Sequence, residues 1–110
     1  MSPTPLDLEG AATVQMALGL LGAGGDRWTG GTGDKGKAFT PDPTRGGFDY
    51  CVVGALIAAA PSYSAYEAAY HAVKAAVGGN IARWNNRSET TFPDVSLTLR
   101  RAANNLLEAA

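Results

Sequence analysis

A single cysteine and a single histidine occur in 110 residues. One cysteine makes no intramolecular disulfide, and the two together are too few for the Cys/His sets that hold structural zinc. The expectation is therefore a cytoplasmic protein without a metal or other cofactor. Charge is equally sparse. Nine basic residues against ten acidic ones give a net charge of −1, which leaves no global positive field for non-specific nucleic-acid binding. Glycine, proline or charge interrupts every apolar run before the ~18 residues of a membrane span. The opening stretch Met1-Ser2-Pro3-Thr4-Pro5-Leu6-Asp7 lacks the basic region of a secretory signal. What the chain does have is 45% hydrophobic content. That suffices for one helical domain over residues 1–110, burying roughly 65% of the unfolded surface.

The patterning predicts a mainly α fold, a compact bundle of about four helices. Thr4-Pro5-Leu6-Asp7 reads as a capping box opening a helix to about Leu21, with Ala11, Val14, Leu18 and Leu21 on one stripe. Gly10 and Gly19 either weaken this helix or mark close packing. A second helix is expected from Asp49 as cap to just before Pro61, apolar all round and hence central. Ser64-Ala65-Tyr66-Glu67 predicts the start of a third, reaching Val77 with an inner face of Tyr66, Ala69, Tyr70 and Val73. Residues 80–86 suit a short helical turn carrying Ile81 and Trp84. Thr91-Phe92-Pro93-Asp94 caps a last helix with the stripe Val95, Leu99, Ala102, Leu106. Leu18, Leu56, Val73, Trp84 and Leu99 are the expected core.

Between the first two helices lies a long Gly/Pro-rich loop, residues 22–47, which is too long for an ordinary connection. Trp28, Phe39 and Phe48 argue that it packs, because large aromatics in a small domain serve to bury area. Residues 30–36 suit the turn of a small β-hairpin between 27–29 and 37–40. Gly31-Thr32-Gly33 followed by Gly36 spells G-x-G-x-x-G, but in loop composition and without a helix after it, so a flexible tip is the reading.

Three constellations carry chemistry. Cys51 opens the second helix, where unpaired N–H groups and peptide dipoles favour a thiolate; it suits a nucleophile, or equally an inert buried residue. With His71 as base and Asn85 or Asn86 orienting the imidazole, it has the Cys-His-Asn order of a thiol enzyme. His71, mid-helix beside Tyr70, also reads as a half-buried structural histidine. Arg83, Arg87, Arg100 and Arg101 form a local positive surface beside Trp84 if the Asn-rich turn folds back on the last helix, suiting an anion or an acidic partner, with Trp84 or Trp28 as a stacking face. The plainer reading is solvated arginines with Trp84 a core plug. Asn85 and Asn86 suit a helix-joining turn or the wall of a polar pocket.

These same residues carry a resemblance. Trp28-x-x-Gly31, Cys51-x-x-Gly54-Ala55-Leu56, Trp84-Asn85-Asn86 and the capped helix with Asp94-Val95 resemble a family of small uncharacterised proteins of bacteria and their phages. In that family a Trp-containing loop, a C-x-x-G-A helix start and a W-N-D turn recur. The likeness covers most of the chain after residue 10 and departs at Asn86, where the family usually has aspartate. It implies a compact, mostly helical fold and a mobile-element origin, and supplies no reaction.

The function expected is a helical protein-interaction module or accessory regulator without catalytic residues, binding through Trp28, Arg83, Trp84, Asn85, Arg87 and Arg101. Its partner is expected to be another protein, acidic, rather than nucleic acid or membrane. The alternatives are a Cys51-dependent hydrolase or transferase and a small anionic-ligand pocket lined by Trp28, the start of the Cys51 helix and Asn85. Oligomeric state is not legible.

Overall fold

Thr4 accepts from the Asp7 N–H at 3.1 Å while the Asp7 carboxylate takes the Thr4 N–H at 2.9 Å, and this closed capping box opens α1, Pro5–Leu20. The same device, Thr91 with Asp94, opens α5, Phe92–Leu107. Between them a computed structural model, which describes residues 2–31 and 39–108, places α2 (Val52–Ala59), α3 (Tyr63–Val77) and α4 (Ile81–Asn86). A short antiparallel hairpin joins β1, Phe39–Pro41, to β2, Phe48–Tyr50. The fold is mainly α with a small hairpin, as the patterning predicts, and the turn expected at 80–86 is a fifth helix.

Two starts differ from expectation for reasons of capping chemistry. Asp49 lies in β2, and the cap of α2 is Cys51 itself, whose Sγ accepts from the Gly54 N–H at 3.3 Å. The α3 cap is Ser62, two residues before the expected Ser64, because its Oγ reaches the Ala65 N–H at 3.1 Å and Pro61 has already stopped α2. At the other end Gly78, at φ +83°, closes α3 in the left-handed conformation.

The hairpin also pairs differently. Strand 39–41 partners 48–50, in the register Phe39 with Tyr50 and Pro41 with Phe48, so the turn falls at 42–47. Residues 27–29 do not form the other strand; Trp28 touches Tyr50 through one isolated parallel bridge. Asp42 makes the actual turn, its Oδ1 accepting from Thr44 and Arg45 N–H at 3.0 Å each while Gly46 N–H returns to its carbonyl. The turn expected at 30–36 and the G-x-G-x-x-G match fall largely on 32–38, outside the described residues.

α1, α3 and α5 pack mutually and α2 lies against α1. Gly10 permits a close approach of α1 to α3 and α5, because a Cβ there meets the Ala68 Cβ at 2.9 Å and Leu106 at 3.1 Å, whereas Gly19 faces open space. One apolar cluster runs through all five helices, with Val14, Leu21, Leu56, Val73, Ile81 and Leu99 fully buried. Leu18 and Trp84, expected in the core, are only partly buried at its edge. α2 is apolar all round yet not enclosed all round, since Ile57 is 47% exposed.

Candidate functional site

Asn85, near the end of α4, is 1% exposed and uses its whole amide. Its Oδ1 accepts from the Trp28 Nε1–H at 2.8 Å and from the Val52 N–H at 3.0 Å. Its Nδ2 donates to the Thr29 carbonyl at 2.8 Å and to Asn86 Oδ1 at 2.9 Å. An indole N–H and a backbone N–H only donate, and a carbonyl only accepts, so this amide orientation alone satisfies all the partners. One side chain thus ties three segments that are far apart in sequence: the loop at 28–31, the first turn of α2, and α4.

The glycines of the loop make room for this joint. A Cβ on Gly30 lies 2.4 Å from the Asn85 carbonyl oxygen and 2.5 Å from its Nδ2, and one on Gly31, at φ +77°, lies 2.6 Å from the Thr90 carbonyl oxygen. Gly31 N–H in turn donates to the Asn85 carbonyl at 2.9 Å. The Trp28 ring tilts against Phe92 at 6.1 Å, and the Phe92 ring occupies the space a Gly25 side chain would need. Thr90 Oγ1 donates to the Trp84 carbonyl at 2.7 Å, bracing the link from α4 to α5.

Trp28 and Asn85 therefore meet in a bonded joint at the start of the Cys51 helix, and the four depressions at Ile57–Tyr66, Val14–Asn104, Gln15–Arg100 and Glu9–Pro61 are lined by none of Trp28, Cys51 and Asn85. Cys51 is 6% exposed, its thiol accepting from the Gly54 N–H. His71 is exposed on α3, edge-on to Tyr70 at 5.8 Å, and lies about 200° round the helix from buried Ala69. The structure does not bring Cys51 and His71 together, and Asn85 is committed elsewhere. Cys51→Ser keeps a capping acceptor, so we expect unfolding free energy to change by less than about 1 kcal/mol. Ellman's reagent should label native Cys51 far more slowly than the same thiol in urea.

The four arginines of the expected surface are all exposed. Arg83 and Arg87 are exposed on and just after α4. Arg100 lines a groove against α1, and Arg101, one residue on, is turned about 100° away from it. None of the four makes a side-chain hydrogen bond or ion pair among the described residues.

The loop arginines behave oppositely, a network that sequence reading missed although Asp42, Arg45 and Asp49 stand at pairing intervals. Arg45 reaches Asp42 at 2.9 Å, Asp26 at 3.0 Å and Asp49 at 3.4 Å. Arg27 donates to the Gly46 and Phe48 carbonyls and stands 3.6 Å from Asp49. Together they strap the hairpin onto residues 26–28. The Arg45 N–H and guanidinium hold the Asp42 carboxyl down to about 2. A depressed carboxyl pKa stabilises above its unfolded value of 3.8 and loses that contribution as pH falls toward 2. The Thr44 and Arg45 amide resonances of the folded protein should accordingly titrate with a midpoint near pH 2, and Asp42→Asn should abolish that transition.

No group of three or more His, Cys, Asp or Glu among the described residues is arranged to hold a metal ion, and no helix there is long and apolar enough to cross a membrane. Fold and joint together define a small helical protein whose glycine loop is pinned by a buried asparagine and whose hairpin is strapped by two arginines. A family model for DUF6197, a family of unknown function, matches residues 7–105, and the chain belongs to that family. No curated protein and no solved structure matches the chain.

Proposed function

We propose that the protein is a helical interaction module, an accessory regulator that binds an acidic protein partner through exposed arginines, in the setting of a phage or other mobile element. The observation that supports this is the contrast between its two sets of arginines. Arg27 and Arg45 are consumed by internal carboxylates and carbonyls, while Arg83, Arg87, Arg100 and Arg101 have no partner among the described residues. A guanidinium held in water is available for bidentate pairing with a carboxylate, and such rim charges set association rate and salt dependence. The residues that first suggest catalysis, Cys51 and Asn85, are occupied in capping and bracing the fold.

Affinity capture from the native host, followed by titration of the purified partner at two ionic strengths, tests the reading. Binding should weaken with salt, and Arg87→Glu or Arg101→Glu should each reduce affinity about tenfold while leaving circular dichroism unchanged. Salt-independent binding that survives both reversals refutes the arginine surface.

A further inference from the structure

The two longest uncharged stretches of the chain are residues 10–25 and 50–66, and they meet in the fold because α1 packs against α2. Their outward side is apolar. Met16 on α1 is 59% exposed, Ile57 on α2 47% and Tyr63 at the start of α3 73%, and Ala12, Ala58 and Pro61 are exposed as well. Two depressions flank the corner between α2 and α3. One, of about 360 Å³, is lined by Ile57, Ala60, Ser62, Tyr63 and Tyr66; Ala12, Met16, Ala59 and Pro61 line the other, of about 180 Å³. They adjoin, since Ala59, Ala60 and Pro61 are consecutive. Charge enters at the margins, where Glu9 lines the smaller depression and Glu67 follows Tyr63 by one helical turn. The Tyr63 ring leans on Tyr66 at 6.2 Å, and Tyr66 on Tyr70 at 5.7 Å, so covering it immobilises a side chain that is already braced.

We propose that this face, centred on Ile57 and Tyr63, pairs with the same face of a second copy of the chain around a two-fold axis. A helix that is apolar on every side is a buried helix, yet α2 buries only one side, that of Val52, Ala55, Leu56 and Ala59, and leaves Ile57 and Ala58 in water. Charge then selects a copy as the cover. In a two-fold contact each patch meets itself, so a charge near the axis meets its like, and a self-pairing face is neutral at its centre with charge displaced to the rim. Every exposed or half-buried residue from 53 to 66 is uncharged, which meets that condition. An acidic partner finds nothing here to pair with, whereas the exposed arginines stand on or beside α4 and α5. Tyrosine suits the centre of such a contact, its ring apolar and its hydroxyl able to bond at the edge. The arginine surface plays no part in this pairing, so the two readings fail separately.

The test is sedimentation velocity of the full chain from about 1 µM to about 1 mM, the range of weak to moderate association. A monomer–dimer equilibrium is expected, with a dissociation constant that does not rise with salt, because no ion pair holds the contact. Ile57→Glu and Tyr63→Glu should each weaken association at least tenfold while leaving circular dichroism unchanged, since both side chains lie at the surface of the single chain. Arg101→Glu should leave it unaltered. In the unmutated protein, the amide resonances that shift on dilution should centre on Ala58, Ser62 and Tyr63. A monomer throughout the range, an assembly other than a dimer, a dimer that salt dissociates, or one unmoved by either glutamate substitution overturns the proposal. Weaker association in Arg101→Glu places the contact on the arginine surface and overturns it too.

Discussion

Asn85→Leu should lower the unfolding free energy by about 2–5 kcal/mol, a large share of the about 5–15 kcal/mol typical of a domain. The side chain is nearly isosteric, so little of that loss is cavity. It comes instead from the Val52 N–H, which is buried and has Asn85 Oδ1 as acceptor at 3.0 Å, and from the Trp28 indole N–H at 2.8 Å. A buried donor left without an acceptor costs about 1–3 kcal/mol, more than the modest net gain of making the bond. Asn85→Asp should also destabilise, because a carboxylate keeps the two acceptor roles but faces the Thr29 carbonyl with no proton to give. Urea titration followed by tryptophan fluorescence reads both, since Trp28 is one of the groups released. An Asn85→Leu midpoint equal to wild type would show that the joint is not what holds the loop.

The second large effect separates two neighbours on α2. Leu56→Ala should cost about 2–5 kcal/mol, because Leu56 is fully buried in the cluster shared by all five helices and the cavity closes only partly. Ile57→Ala should change stability by less than about 1 kcal/mol, as Ile57 is 47% exposed and alanine is the better helix former. Thermal or urea unfolding of the two variants side by side in dilute solution checks the contrast. Equal destabilisation by both would mean that the outer face of α2 is covered by a second copy of the chain.

How far the sequence reaches is clearest at the helix ends. Thr4 with Asp7 and Thr91 with Asp94 are decided within four residues, by side chains bonding the nearest free N–H groups, and α1 and α5 begin where the patterning puts them. The buried stripe of α5, Val95, Leu99 and Ala102, is equally legible, because polar residues mark its other side. α2 carries no such marker: its residues are apolar all round, so only packing against α1 decides that Leu56 turns inward and Ile57 outward. The hairpin partner of 39–41 also lies beyond local reading, because the hairpin is tied to a separate segment, Arg45 to Asp26 and Arg27 to the Gly46 and Phe48 carbonyls.

The candidate site divides in the same way. Sequence alone marks Trp28, Cys51 and Asn85 as unusual residues, and it determines the helical turn that carries Asn85. Whether they line an open cleft or a closed joint is a matter of separations of 33 and 57 residues along the chain, bridged by Asn85 to Val52 and to Trp28. No periodicity encodes such contacts. Gln15, Ser96 and Asn104 carry no motif at all; they come to line surface depressions with Arg100 only because α1 and α5 cross there. Local bonding and hydrophobic period belong to the sequence, since they act over one or two helical turns. Joint, strap and depressions belong to the tertiary structure, since each needs groups that meet only once the helices have packed.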